Sequence, residues 1–442
     1  MLPIPPDLEQ RIVHHVGAYE DLKSCALVSS RFCHWAQSSL FRDIIVEYDS
    51  ESGHAEGCPR RLWIDRVRRL AAVVAHSPHL ALYVRRLEVQ QCSADVLAVL
   101  AALPFYDLHT VELKKIPHNG HLEVLDSFRK LAIRSPLRAI QLSFYLYPGD
   151  SEYLWDFAAL CPPTLTSFDV RFCRPTRHEE PAPTPVCPPW RPRSKRPPKI
   201  RELRIEDSPD AVTFFNDPAC PFDLNDVKQL QVDYNTLGTG LDSLLRRLGR
   251  TVESLKVYTD PFQVREPFDL SNFLALTHLD CCRLSEEVIV NVLERLPLSN
   301  RISHLRVQTS HSKWLIDLRG VTCKLGAKFE AAALRKLPHL QEVEMEILPL
   351  GVRDIPARDR TKVVSAVRLS MPRVASQGML SISFVHGKAD FATRRYGCSG
   401  IPKTSEKNMS PQRLGDKDSI LNRKYWSQPD QKDFCTYWNH SA

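Results

Sequence analysis

One six-residue phrase recurs along most of this chain, and its spacing limits the available folds more than any other feature. The phrase runs apolar, two mostly polar, apolar, polar, apolar. It begins at Val84, Leu108, Leu137, Leu165, Ile200, Val227, Val252, Leu276, Ile302 and Leu340, with a weaker copy at Met379. Short patterns of this kind arise by chance in an apolar-rich chain, so the spacing is what singles it out. Successive steps are 24, 29, 28, 35, 27, 25, 24, 26, 38 and 39 residues. Most fall within the range of about 20–29 residues in which one strand and one return element fit. Helical patterns lie between the phrases, at 94–104, 121–133, 153–163, 241–249, 286–297 and 329–338, and several end in proline, which stops a helix. Each unit therefore reads as a short strand plus a helix. One such unit cannot bury its apolar face alone, and stacking neighbours makes a shared core.

At 442 residues the chain exceeds the size at which a single core stops growing, about 250–300 residues, so several units or an extended repeat array are expected. A formal charge of +7 over this length, without clustering, is a solvated mixed surface, and nucleic acid is not the expected partner. The 13 cysteines are odd in number and form no CxxC pair, which fits a reducing compartment, cytoplasmic and/or nuclear. Prolines at 3, 5 and 6 and charge from Asp7 onward do not make a secretory signal. No apolar run reaches the roughly 18–20 residues of a membrane span, so no membrane partner is expected.

The first 46 residues form a separate pattern. Pro5 and Pro6 suit a helix start. Leu8, Ile12, Val13 and Val16 then recur at helical spacing, and Gly17 ends that helix. Leu22, Cys25, Ala26 and Val28 give the apolar face of a second helix, and Phe32, Trp35, Leu40 and Phe41 that of a third. Leu2-Pro3-x-Pro5-Pro6-x-Leu8-x-x-x-Ile12, Leu22-x-x-Cys25-Ala26-Leu27-Val28-Ser29-x-Arg31-x-x-x-Trp35 and Leu40-Phe41 together resemble the F-box, in its fungal form. The segment departs from that family in placing its acid, Asp7, one proline late and its tryptophan four residues after Arg31. The resemblance implies a Skp-type adaptor as partner, and through it cullin and RING subunits. It implies adaptor contacts at Leu2, Pro3, Leu8, Ile12, Leu22, Leu27, Val28 and Trp35. The same residues could instead form only the core of a small helical cap.

Two phrases extend further, as Val84-Leu87-Val89-Cys92 and Leu165-Phe168-Val170-Cys173, with cysteine where a leucine-rich repeat places Asn or Cys. The body thus resembles an irregular leucine-rich-repeat solenoid, departing from the family in its missing Asn and variable repeat length. The expected fold class is α/β: a small N-terminal three-helix F-box (1–46), a linker and capping helix (47–83), and an irregular leucine-rich-repeat domain of strand-plus-helix repeats (84–387). A compact α/β domain with a parallel sheet is the other architecture open to it. A Pro-rich basic insertion (174–199) interrupts the repeats, and a polar tail (388–442) follows, expected to be disordered.

Catalytic motifs are missing: there is no GxSxG, no GxxxxGK[ST] and no HExxH, and the histidines are scattered. The sequence thus points to a non-enzymatic protein with no cofactor. Its expected function is the substrate-recognition subunit of a Skp-cullin-F-box ubiquitin ligase, with an unknown protein target held by the repeats. The alternative is a leucine-rich-repeat scaffold without a ligase role. Nucleic-acid binding through the basic residues at 61–69 and 191–199 ranks behind both.

Overall fold

In a computed structural model, the described residues are 5–16, 18–47, 59–117, 121–145, 152–173, 196–206, 208–233, 240–258, 269–282, 284, 286–310, 323–348 and 355–385. Most of the 174–199 insertion, the 388–442 tail and the predicted contacts Leu2 and Pro3 lie outside them. The chain divides into two compact units near Leu40.

The first unit is helical. α1 (Pro6–His15), α2 (Tyr19–Ala26) and α3 (Ser30–Phe41) follow the predicted pattern of three short helices. Pro6 opens α1, where the missing amide costs nothing, and Asp7, Glu9, Glu20 and Asp21 place acid at helix starts. Its core is small: Val13, Leu22 and Ala36 are buried, with Val16, Cys25, Ala26, Phe32, Trp35 and Leu40 packed around them.

The second unit is a single twelve-stranded sheet, every strand parallel to its neighbours and in chain order. The strands are β1 (Asp43–Val46), β2 (Arg86–Val89), β3 (Thr110–Pro117), β4 (Ala139–Tyr145), β5 (Ser167–Cys173), β6 (Glu202–Glu206), β7 (Gln229–Asp233), β8 (Ser254–Tyr258), β9 (His278–Cys282), β10 (His304–Ser310), β11 (Glu342–Leu348) and β12 (Leu380–Phe384). Between them run α4 (Pro59–His76), a 3₁₀ turn (Pro78–Tyr83), α5 (Ala94–Ala102), α6 (His121–Arg134), α7 (Glu152–Ala159), α8 (Pro209–Asn216), α9 (Leu241–Leu248), α10 (Glu286–Arg295), α11 (Cys323–Lys336), α12 (Ala357–Ser370) and α13 (Pro372–Ser376). Helices alternating with sequential parallel strands are compatible with a repeat solenoid.

Each of the ten strong phrases supplies one strand, β2 to β11, and the strands align phrase on phrase. Leu87, Val111, Ile140, Phe168 and Leu203 are successive partners, as are Val89, Leu113, Leu142, Val170 and Ile205. These two positions point into the helix-covered core and are buried throughout β2–β11. A second regularity lies just before each strand. The carbonyl of Arg42 accepts from the amides of Arg85 and Arg86, that of Arg85 from His109 and Thr110, and that of His109 from Arg138 and Ala139. The pattern holds for ten successive steps, ending with Ser303 accepting from Gln341 and Glu342. The Pro-rich insertion does not break it, since Thr166 accepts from Arg201 and Glu202 on its far side.

The helix layer is tied together similarly. The cation closing one helix donates to the carbonyl end of the preceding one: Arg134 Nη1 to Ala101 O (3.2 Å), Arg247 Nη1 to Phe215 O (3.0 Å) and Lys336 Nζ to Leu296 O (3.3 Å). These carbonyls have no intrahelical partner, and the helix dipole favours cations there. In α9 the leucines at 241, 244, 245 and 248 are all buried, one face of a 3.6-residue period.

Three features differ from the sequence reading. The sheet starts at β1 and not at residue 84, so Asp43–Val46 belongs to the body and not to the helical unit. α4, expected as an end cap, instead returns the chain from β1 to β2 and packs on α5, taking the place of a repeat helix. The weak phrase at Met379 is displaced by two residues: Leu380 and Ile382, in place of Ile382 and Phe384, pair with the core positions Val343 and Met345. Gly378, at φ 74°, makes the left-handed turn after α13 that leads into β12, a conformation that suits glycine. α8, α12 and α13 have no counterpart in the sequence reading.

Asn300 is fully buried and joins two repeats: its Nδ2 donates to Pro297 O (2.6 Å) and Lys336 O (2.7 Å), and its Oδ1 accepts from Ile302 N (3.3 Å). Asn300→Ala leaves these groups unpaired and is expected to cost about 2–4 kcal/mol. Denaturant unfolding beside the exposed control Arg301→Ala checks this.

Candidate functional site

Two surfaces stand out, one on each unit, and each is described by itself. On the helical unit, Leu8 (48% exposed) and Ile12 (47%) lie four residues apart on one face of α1, while Leu27 (68%) and Val28 (67%) follow α2. These four are among the residues at which the F-box resemblance implies adaptor contacts. The structure separates them from Leu22, which is buried in the unit's core, and from Trp35, which is half-buried against that core. The indole also lies edge-on to His34, with ring centroids 4.7 Å apart. Leu22 and Trp35 therefore hold the unit together, and helical periodicity alone could not sort inward from outward among so many apolar residues.

The second surface is the sheet face opposite the helices, built from the polar positions of the phrases. Along one row the paired residues are Glu88 and Glu112, then Gln141, Asp169, Arg204, Gln231, Lys256, Asp280, Arg306 and Glu344. Period 2 places them outward because the core positions on either side point inward. The sequence did not single out which residues of this face matter, although their shared phase with the core positions places them on one face.

Three charge networks occupy this face. On β2 and β3, Arg86 pairs with Glu112 (2.6 Å) and Glu88 (3.0 Å), and Lys114 also pairs with Glu88. On β5–β7, Arg171 pairs with Glu206, Arg204 with Glu206 (2.7 Å) and more loosely with Asp169 (3.6 Å), and Gln231 donates to Glu206 (2.7 Å). On β10–β12, Arg306 reaches Glu346 (2.9 Å) and Glu344 (3.4 Å), while Gln308 donates to Glu346 and Ser383 to Glu344. Glu88, Glu112 and Asp169 are buried, so these charges are partly desolvated and depend on their partners.

Asp169 is only partly satisfied, through Arg204. Its Oδ1 has no hydrogen-bond partner among the described residues. Burial pushes its carboxyl up to about 7, helped by Glu206 and Glu112 and opposed by Arg204 and Arg171. Burial likewise raises Asp280, with Glu344 and Glu346 adding to the shift and Lys256 and Arg306 opposing it. For Arg86 and Arg204, burial pulls downward, but neighbouring carboxylates outweigh it and raise both. Cys92 and Cys282 are pushed up to about 12 by burial, which keeps both as unreactive thiols near neutral pH.

Among the described residues, no group of three or more His, Cys, Asp or Glu is placed to hold a metal ion, and no helix is long and apolar enough to cross a membrane. No family model matches the chain, and no curated protein matches its sequence.

The Asp169 shift has a definite sign. A carboxyl near 7 in the folded state and near 3.8 unfolded takes up a proton on folding between about pH 4 and 7. Its contribution to stability therefore rises as pH falls through 7. Asp169→Asn is expected to melt higher than wild type at pH 8, with the difference shrinking toward pH 5. Paired melting curves across that range check it.

Proposed function

We propose that this chain is the substrate-recognition subunit of a Skp-cullin-F-box ubiquitin ligase. Its N-terminal helical unit is the F-box that docks the Skp-type adaptor, and its strand-and-helix body is a leucine-rich-repeat array that holds the protein target. The observation that carries the adaptor half is the exposure of Leu8, Ile12, Leu27 and Val28 on a unit whose buried core is only three residues. An isolated unit gains nothing by leaving its largest aliphatic chains in water, whereas helix-in-groove docking uses such anchors. The target half is supported by a sheet face with charged groups set in fixed register, which selects partners by charge position. Ubiquitin transfer itself belongs to the partner subunits. The excess of carboxylates on the sheet face also argues against nucleic acid there.

The test is capture of a purified Skp-type adaptor by the full-length protein. Leu8→Asp and Val28→Asp, each placed on an exposed side chain, are expected to weaken capture at least tenfold while leaving the melting temperature within about 2 °C, because hot-spot truncations cost about 2 kcal/mol or more. A well-folded wild-type chain that captures no adaptor would leave the scaffold reading in its place.

A further inference from the structure

The sheet ends at β12, and among the described residues no strand pairs with its outer edge. On the inner side Val343 N donates to Met379 O (2.8 Å) and Val385 N to Ile347 O (3.1 Å). In a parallel ladder the amide and carbonyl of one residue point to the same side, and successive residues alternate. Met379, Ser381, Ser383 and Val385 therefore bond to β11. Leu380, Ile382 and Phe384 turn their N–H and C=O groups to the open edge.

The side chains of these three residues continue the core row of Val343, Met345 and Ile347. The β11 residues are buried, whereas Leu380, Ile382 and Phe384 are only half-buried against the same core. A further strand would give each of them an apolar neighbour on its open side. Edge strands of soluble proteins usually carry a lysine, a proline or a bulge that discourages such pairing. Met379 to Val385 reads Met-Leu-Ser-Ile-Ser-Phe-Val, with no charge, no proline and no glycine. The strand at the other end of the sheet differs: β1 starts at Asp43 and lies between Arg42 and Glu47.

The open edge is complementary to a second copy of itself. About a two-fold axis at Ile382, antiparallel pairing sets Ile382 opposite Ile382, Leu380 opposite Phe384 and Ser381 opposite Ser383. The residues whose backbone groups face outward are then the hydrogen-bonded pairs. The apolar side chains of both copies fall on the core side of the joined sheet and the serines on the other, and no like charges meet across the joint. Pairing of β12 with β1 of another copy would instead bring charge to the joint and leave an edge free at each end, which builds filaments. We propose that this chain forms a two-fold dimer through antiparallel pairing of β12 about Ile382, so that two sheets run on as one. This goes beyond the ligase reading and does not depend on it. A joint of one strand pair is at the small end of specific interfaces, below about 1,200 Å², so the dimer exchanges with monomer, with a Kd on the order of 10 μM.

The test is sedimentation equilibrium of the full-length protein from about 1 to about 100 μM, which brackets the midpoint expected of so small a joint. The average mass is expected to rise from one chain to two and to stop there. Ile382→Pro removes the outward N–H on the axis and leaves the bonds to β11 in place, as proline on an edge strand can. It is expected to weaken the dimer at least about tenfold, the effect of losing two hydrogen bonds. Ser381→Lys together with Ser383→Lys, both on the polar side of the strand, sets like charges directly opposite and should weaken it as well. Melting curves show that each variant is folded, and the double variant serves if the proline variant is not. A wild-type chain that stays monomeric across the range, one that grows past the dimer, or a dimer unchanged in a folded variant would overturn the proposal.

Discussion

The carbonyl one residue before each of β1–β10, shared between two amides of the next repeat, fixes the geometry of most of the body. It recurs from Arg42 to Ser303 whatever the length of the intervening segment. Because these bonds start each strand from β2 to β11 at the same place, the core positions of neighbouring repeats there cannot slip relative to each other. A slip of one residue would turn every apolar pair outward and every charge inward. Loop closure grows costly only slowly with length, which is why a step of 35 residues between β5 and β6 is tolerated as well as one of 24. Phe168 on β5, at the start of that long step, packs with Phe214, Phe215 and Phe222 from the segment between β6 and β7, in a cluster with ring centroids between 4.8 and 6.3 Å apart.

The same register that aligns the core also aligns the charges. Arg86, Arg171, Arg204 and Arg306 each meet carboxylates on their own or an adjacent strand because residues at equal phase lie one strand spacing apart. Partly buried ion pairs add little net stability, since desolvation offsets most of the attraction. Their physical consequence is order: side chains in these networks are held in place before any partner arrives, which reduces the entropy lost on binding. Asp169 departs from this pattern. Its raised proton affinity records a desolvated charge whose nearest cation, Arg204, is committed more closely to Glu206.

Strands β2–β11 were legible in the sequence because two apolar residues at period 2, preceded by a third, recur at steps that mostly fall between 24 and 29 residues. β1 was not, since Asp43–Val46 is short and follows directly from α3 without the phrase. β12 was read two residues out of place because Met379 mimics the first apolar position. α8 is a short helix whose signal lies in its ends, where Ser208 caps Ala211 N at 3.0 Å and Pro209 follows. In the helical unit, pattern alone marked Leu8, Ile12, Leu22, Leu27, Val28 and Trp35 alike. Which of these point outward depends on how three helices pack, and that information is tertiary. The outward charges were visible as letters, but the pairing of Arg86 with Glu112, 26 positions on, needs the strand register.

A helical unit with three buried residues at its centre has little apolar area with which to oppose chain entropy. The side chains best able to add to that area, Leu8, Ile12, Leu27 and Val28, are the ones it exposes. Covering them with a partner therefore stabilises the unit and binds the partner through the same contacts, so fold stability and affinity are linked. The body behaves differently, with a continuous core running from Ile44 to Val374. Under the proposed function, selectivity of the body would come from the placement of polar groups on an already ordered sheet, and that of the helical unit from apolar area completed on binding.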